Sequence, residues 1–275
     1  MRTDKKAIIL GANGIIGNAL FHALPQAGFT CTGLTSQAAT AFTPVTYTWP
    51  ALRSHVADAD TVLYCIGISK FAECEEEPET SHYLNCELPC EIQRNLSAQQ
   101  SFVYLSSPIA IYDFAGATPN QYALQKRAAE AQLMAAAHPR TLIVRPSKVI
   151  ESLGILGTWR AQLQQGQSIS AFSDQYLAPI PRRLLAQQIG ALLLGGHAGC
   201  YNFSAADRMS YDAIAQALCD HLAADPAQVI ATRARDQNPF FFQQDVLDCS
   251  AAAKATGYAP PLARDIIFDY IRKLP

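Results

Sequence analysis

The sequence predicts an α/β fold built on a doubly wound parallel sheet, and three observations carry that expectation. Short apolar runs rich in β-branched residues recur, as in AIIL, TVLYCI, FVYL and TLIV. Longer amphipathic stretches separate them, the alternation of a parallel sheet whose crossovers are helices. A glycine-spaced turn, LGANGIIG, follows the first run and opens the first helical stretch.

Taken in chain order, strands are expected at residues 7–10, 30–34, 61–66, 102–106, 141–145 and 201–204. Helices are expected at 15–27, 82–96, 121–137 and 183–194, and the connections obey the right-handed crossover rule if the sheet is doubly wound. After Arg145 and Pro146 the alternation weakens, and ESLGILGTW opens a region of mixed helices and short loops. Two domains are therefore expected, 1–150 and a smaller lobe over 151–275. The strand at 201–204 is expected to return to the main sheet, so that the two interleave.

Composition narrows the function. A chain of 275 residues that is 49% hydrophobic can bury a full core. Twenty-one basic residues against 23 acidic ones leave a formal charge of −2, and no basic run is long enough to track a phosphate backbone or an anionic membrane. Nucleic acid and membrane partners are not expected. The eight cysteines are scattered without a Cys-x-x-Cys pair, which fits a reduced, cytoplasmic protein. Cys74, Cys86 and His82 are the one set that resembles a metal cluster, but free cysteine behaves as a small buried hydrophobe and no metal is expected. The N-terminus is charged and then apolar, yet Gly11, Asn13, Gly14, Gly17 and Asn18 interrupt the apolar run, so no secretory signal is expected. No apolar stretch reaches the roughly 18 residues of a membrane span.

Two motifs carry chemistry. Gly11, Gly14 and Gly17 are spaced Gly-x-x-Gly-x-x-Gly after a strand, where a tight turn lets a pyrophosphate approach the amides at a helix N-terminus. The turn residues Asn13, Ile15 and Ile16 belong to the same candidate dinucleotide site, with Ile66 and Gly67 after the third strand. The acidic residue that grips the 2′-hydroxyl of NAD is absent from the end of the second strand, which reads GLTSQ. Thr35 and Ser36 there tolerate a 2′-phosphate, which favours NADPH while leaving NADH open. The second motif is Tyr122-Ala-Leu-Gln-Lys126, two side chains stacked on one helix face. An ammonium there is expected to lower the tyrosine pKa and make Tyr122 a proton donor to a carbonyl. The pair follows a strand that ends in Ser106 and Ser107, at the edge where such sheets present ligands.

Together with TVLYCIG, these residues give the chain a pattern that resembles the extended short-chain dehydrogenases, which are built on a Rossmann sheet. Within that group AECEEEPETSHYLN, SDQYLAPIPRRLLA, YNFSAADRMSYDAIAQAL and LDCSAAAKATGYAPP are similar to segments of the dTDP-4-dehydrorhamnose reductase family, and the likeness runs over nearly the whole chain. The resemblance implies a nucleotide-linked keto sugar as substrate, a nicotinamide reductant bound by the first domain and a substrate-binding lobe in the second. It also implies that Tyr122 protonates the keto oxygen, that Lys126 holds the nicotinamide ribose and that Ser107 hydrogen-bonds the same oxygen. The chain departs from the family in the longer path Ser106 to Tyr112, in a shorter loop from Tyr112 to Tyr122, in Lys148 where a tryptophan is expected, and in lacking an acidic residue near Tyr47.

Arg182 and Arg183 in PIPRR are candidates to clamp a diphosphate, with solvated helix-start residues as the alternative. Asp174 and Gln175 read as organisers of a loop between the lobes. Phe240, Phe241 and Phe242 read as core or as the interface of a homodimer. An epimerase or dehydratase would reuse the same Tyr and Lys. A non-catalytic dinucleotide-binding subunit, such as the one that regulates methionine adenosyltransferase, is the reading from another class.

Overall fold

The structure is a computed structural model and describes residues 5–38, 41–114, 118–237 and 246–274. The aromatic run at Phe240 to Phe242 lies outside the described residues. In chain order the first part of the protein is β1 (Lys5–Leu10), α1 (Ile15–Ala23), β2 (Phe29–Thr35), β3 (Thr43–Pro44), α2 (Trp49–Ala57), β4 (Thr61–Tyr64), α3 (Phe71–Glu76), α4 (Pro78–His82), α5 (Leu88–Arg94), β5 (Ser101–Leu105), α6 (Gln121–Ala135) and β6 (Thr141–Pro146). There follow α7 (Gly154–Gln164), β7 (Ile169–Phe172), β8 (Tyr176–Leu177), α8 (Arg182–Leu194), β9 (Gly199–Phe203), β10 (Met209–Ser210), α9 (Tyr211–His221), β11 (Val229–Thr232), α10 (Ser250–Thr256) and α11 (Ala263–Arg272).

The chain divides into two compact units. Unit one holds Met1–Pro146, Arg183–Asn202 and Ser250–Tyr258, and unit two holds Ser147–Arg182, Phe203–Cys249 and Ala259–Pro275. A seven-stranded sheet in the order β3-β2-β1-β4-β5-β6-β9 runs through the first unit, and the paired strands from β3 to β6 are all parallel. The expected α/β class and doubly wound sheet are thus the observed ones. The order reverses direction at β1 and β4, which opens a crevice at the C-terminal ends of those strands.

Composition explains the layering. Every residue of β4 is buried, and β5 is buried from Phe102 to Leu105. Strands covered on both faces need apolar side chains at successive positions rather than at alternate ones. Leu34, Leu52, Val62, Tyr64, Phe102 and Ile143 belong to the resulting core. The second unit has its own core around Trp159, Leu177, Ile214 and Ile267. There α11 shows why a helix forms: Ala263, Ile266, Ile267 and Ile271 recur at helical spacing and all four are buried.

Two helices differ from their sequence-derived spans. The first stops at Ala23 and tightens into a 3-10 turn over Leu24–Ala27, because Pro25 lacks the amide an α-helix would use there. The expected helix at 82–96 is interrupted by a π-turn at Tyr83–Glu87 before α5 begins. A π-turn inserts a residue into the ladder and leaves no mark in hydrophobic periodicity.

One buried ion pair ties α6 to β6. Arg145 Nε donates to Glu130 Oε1 at 2.8 Å and its terminal nitrogen to Oε2, with the side chains only 12% and 5% exposed. Arg145→Met strands the Glu130 carboxylate in the interior, and urea unfolding is expected to register a loss of about 3–5 kcal/mol. Arg145→Met combined with Glu130→Leu should recover most of it. A single variant as stable as wild type would show that Glu130 finds another partner.

Candidate active site

The turn after β1 is shaped by close backbone approach. Gly11 sits at φ +83°, in the left-handed region that favours glycine, and the Gly11 and Ala12 amides donate to Leu34 O at 2.9 and 3.0 Å. A Cβ on Gly17 would stand 2.2 Å from Gly11 O, so α1 can begin this near β1 only with glycine there. Gly14 is the N-cap of α1 and no side chain caps the helix. Its first amides and the positive end of its dipole therefore suit an anion. Asn13, Gly14 and Ile15 are exposed at this end, and Ile16 is half-buried. Across the turn Thr35 is fully buried and its hydroxyl accepts the Gln37 amide at 3.2 Å, whereas Ser36 is exposed.

The second strand end joins the glycine turn to the Tyr and Lys pair. A Cβ on Gly11 would meet Cys65 O at 2.9 Å, and one on Gly67 would lie 2.8 Å from Asn85 Oδ1 and 3.8 Å from Lys126 Nζ. Ile66 between them is buried and Gly67 is exposed. Gly11, Ile66, Gly67 and Lys126 thus follow one another along the crevice.

Asn120 caps α6 by accepting the Ala123 amide at 2.8 Å, which sets Tyr122 and Lys126 in its first turns. Both are buried, at 8% and 3% exposure. Lys126 Nζ donates to Tyr104 OH at 3.0 Å and to Leu105 O at 2.9 Å, and lies 5.8 Å from the centroid of the Tyr122 ring. Tyr104 OH in turn donates to Asn85 O at 2.6 Å. Ser107 is hydrogen-bonded to Tyr122, so Ser107, Tyr122 and Lys126 form one cluster at the C-terminal end of β5. Ser106 Oγ is buried and has no hydrogen-bond partner among the described residues.

Burial sets the proton affinities. It pulls the Lys126 ammonium down to about 8, against the opposing pull of Glu130. It pushes the Tyr122 hydroxyl up to about 12, with the Ser107 hydrogen bond acting to lower it. The expectation that Lys126 lowers the Tyr122 pKa is therefore corrected: desolvation outweighs every nearby charge, and the opposing contact is Ser107. Tyr122 is consequently protonated at neutral pH.

The arginine candidates separate. The Arg182 amide donates to Glu151 Oε2 at 3.0 Å and its guanidinium lies 3.9 Å from Glu151 Oε1, while Arg183 is exposed on α8. Asp174 organises its own unit rather than a loop between lobes, because it accepts the Ala234 amide at 2.6 Å and Arg235 Nε at 3.0 Å. Among the described residues no three His, Cys, Asp or Glu side chains gather as a metal site would require. No described helix is long and apolar enough to cross a membrane.

Sequence reasoning missed Asn85, Tyr104, Gln125 and Glu130. Asn85 is fully buried in the π-turn, accepts the Ile68 amide at 3.1 Å, and donates to Ile68 O at 2.9 Å and Gln125 Oε1 at 2.8 Å. Its signals in the sequence were its place at the end of the family-like segment AECEEEPETSHYLN and a polar side chain within an expected helix.

The doubly wound parallel sheet, the glycine turn and the Tyr-x-x-x-Lys helix define the class of the extended short-chain dehydrogenase fold. The chain belongs to the RmlD substrate binding domain family, whose model matches residues 5–274. It is 26% identical over 204 residues to a dTDP-4-dehydrorhamnose reductase of Mycolicibacterium smegmatis, a match spanning 69% of this chain and 59% of that relative. A dTDP-4-dehydrorhamnose reductase of Bacillus anthracis, solved in complex with NADP, superposes with a TM-score of 0.82 at 16% identity, covering 99% of both chains. A UDP-N-acetylglucosamine 4-epimerase of Methanobrevibacter ruminantium superposes at 0.80 with 14% identity, covering 98% of both. At these identities the two solved structures establish the fold.

Asn85→Ala leaves the Ile68 amide and Gln125 without their partner in the interior. A loss of about 1–3 kcal/mol in chemical denaturation is expected, the cost of unsatisfied buried polar groups. A loss below about 0.5 kcal/mol would mean that water replaces the amide at no cost.

Proposed function

We propose that this chain is an NADPH-preferring reductase of a nucleotide-activated keto sugar, able to use NADH less well. The observation that carries the reading is the cluster of Ser107, Tyr122 and Lys126 beside Gly67 and the glycine turn. The uncapped start of α1 at Gly14 fits a dinucleotide pyrophosphate, with Asn13, Ile15 and Ile16 around it. The orphaned Ser106 hydroxyl fits a site whose remaining partner is a bound molecule. Preference for NADPH is supported by the absence of a carboxylate at the end of β2, where exposed Ser36 stands instead. The NADP complex of the Bacillus anthracis reductase points the same way.

The glycine turn, Gly67 and Lys126 would hold a reduced nicotinamide dinucleotide, which when bound would supply a hydride to the carbonyl carbon. Negative charge then builds on the carbonyl oxygen, and donors waiting at that oxygen stabilise the transition state. Tyr122 delivers the proton. Ser107 gives its single hydroxyl proton to Tyr122 in the free site and turns it to the same oxygen once substrate is bound, and the Lys126 ammonium stabilises the phenolate left behind and holds the nicotinamide ribose. Arg183, and Arg182 once released from Glu151, suit the substrate diphosphate. A 4-epimerase is the runner-up, because the Methanobrevibacter ruminantium 4-epimerase shares this fold. It differs in consuming no NADPH overall.

The test follows NADPH oxidation by absorbance with dTDP-4-keto sugars as substrates. Tyr122→Phe should fold and bind NADPH like wild type, yet turn over ~10²-fold more slowly, the scale of losing a positioned general acid. Lys126→Ala should lower both turnover and NADPH affinity, and calorimetry should give tighter binding of NADPH than of NADH. Unimpaired turnover in Tyr122→Phe would move the proton transfer elsewhere. Sugar epimerisation without NADPH loss would establish the runner-up.

A further inference from the structure

The second unit contains a pocket of about 360 Å³, a volume that accommodates a sugar-sized group. One side is apolar and aromatic: Trp159, Tyr211 and Phe172 line it, with the Trp159 and Tyr211 rings edge to face at 6.5 Å. Ser170 and Gln175 add a hydroxyl and an amide, the groups that hydrogen-bond sugar hydroxyls. Among the described lining residues Lys148 is the one that carries a charge.

Lys148 is held firmly at its backbone. Its carbonyl accepts the Ile180 amide at 3.0 Å, Val149 bridges Ile180, and the preceding Ser147 amide donates to Phe203 O at 2.8 Å. Its ammonium, in contrast, meets no hydrogen-bond acceptor or carboxylate among the described residues. Burial alone moves its pKa below the ordinary lysine value, with no acid opposing the shift. A half-buried cation that meets no counter-charge among the described residues costs stability unless something else neutralises it.

We propose that this pocket selects a substrate group carrying a negative charge, with Lys148 as the residue that reads the charge and Trp159, Tyr211 and Phe172 as the wall its carbon skeleton packs against. This rests on the reading of the chain as a nucleotide-sugar enzyme. It narrows the substrate from any such sugar to one whose anionic group, a sugar carboxylate or a phosphate, reaches the second unit. Arg182 and Arg183 are the diphosphate candidates of that reading, and Lys148 lies apart from them in sequence.

The experiment measures dissociation constants by calorimetry for UDP, UDP-glucose, UDP-glucuronate and inorganic pyrophosphate, on wild type, Lys148→Met and Lys148→Arg. Methionine keeps the length of the stem and removes the charge, so the variant is expected to melt no lower than wild type. A loss of tenfold or more confined to UDP-glucuronate, restored by arginine, assigns Lys148 to a sugar carboxylate. An equal loss for UDP, both UDP-sugars and pyrophosphate assigns it to a phosphate. Either supports the proposal. Affinities within twofold of wild type for all four probes would overturn it, as would a wild type that binds none of them. A wild type that binds pyrophosphate through Lys148 but none of the nucleotides would keep the anion pocket and overturn the nucleotide-sugar reading instead.

Discussion

The site depends on keeping one ammonium, Lys126, in a nearly dry interior. Lys126 is only 3% exposed, and the protein supplies two oxygens, Tyr104 OH and Leu105 O, at hydrogen-bonding distance. Those two oxygens fix where α6 lies against the end of β5. Tyr104 must in turn be held, and Asn85 O in the π-turn holds it. The π-turn stays in place because Asn85 satisfies Ile68 and Gln125. Deeper in α6, Glu130 raises the proton affinity of Lys126 while Arg145 neutralises Glu130. Removing any link exposes a polar group to an apolar interior, where an unmatched charge costs several kcal/mol.

The crevice where this chain of contacts surfaces follows from strand order. Reversal at β1 and β4 separates the loops at their C-terminal ends, so the glycine turn after β1 and Gly67 after β4 line one opening. Gly17 lets α1 start against Gly11, and the start of α1 at that opening carries no side-chain cap. The next strand, β5, brings Ser107, and α6 brings Tyr122 and Lys126. Three neighbouring strands of a buried sheet thus place an uncapped helix start beside the cluster of Ser107, Tyr122 and Lys126.

Much of this was legible in the sequence because it rests on local rules. Continuous apolar runs marked β1, β4, β5 and β6, the glycine spacing marked the turn, and a four-residue interval put Tyr122 and Lys126 on one face. What was not legible depends on contacts distant along the chain. Tyr104 read as one more core aromatic, and only the fold shows its hydroxyl between Lys126 and Asn85. Glu130 and Arg145 lie 15 residues apart on different elements, so no spacing rule pairs them. The Tyr122 pKa went the other way from expectation because a sequence shows a neighbouring charge but not the loss of water around it. The π-turn at Tyr83–Glu87 was invisible because its single inserted residue leaves the apolar pattern intact.

The burial of a charged Lys126 can be read from the pH dependence of stability. Its pKa is about 8 in the folded protein and 10.5 in an unfolded chain, so between those values the unfolded chain binds more protons. Stability contributed through Lys126 must then rise with pH across that window, as the folded state sheds the buried charge first. The direct measurement is the unfolding free energy of wild type minus that of Lys126→Met, determined by urea titration from pH 7 to pH 10.5 at fixed ionic strength. That difference is expected to shift steadily in favour of wild type as the pH increases. A difference that stays flat, or moves toward the methionine variant, would contradict it and return Lys126 to solvent.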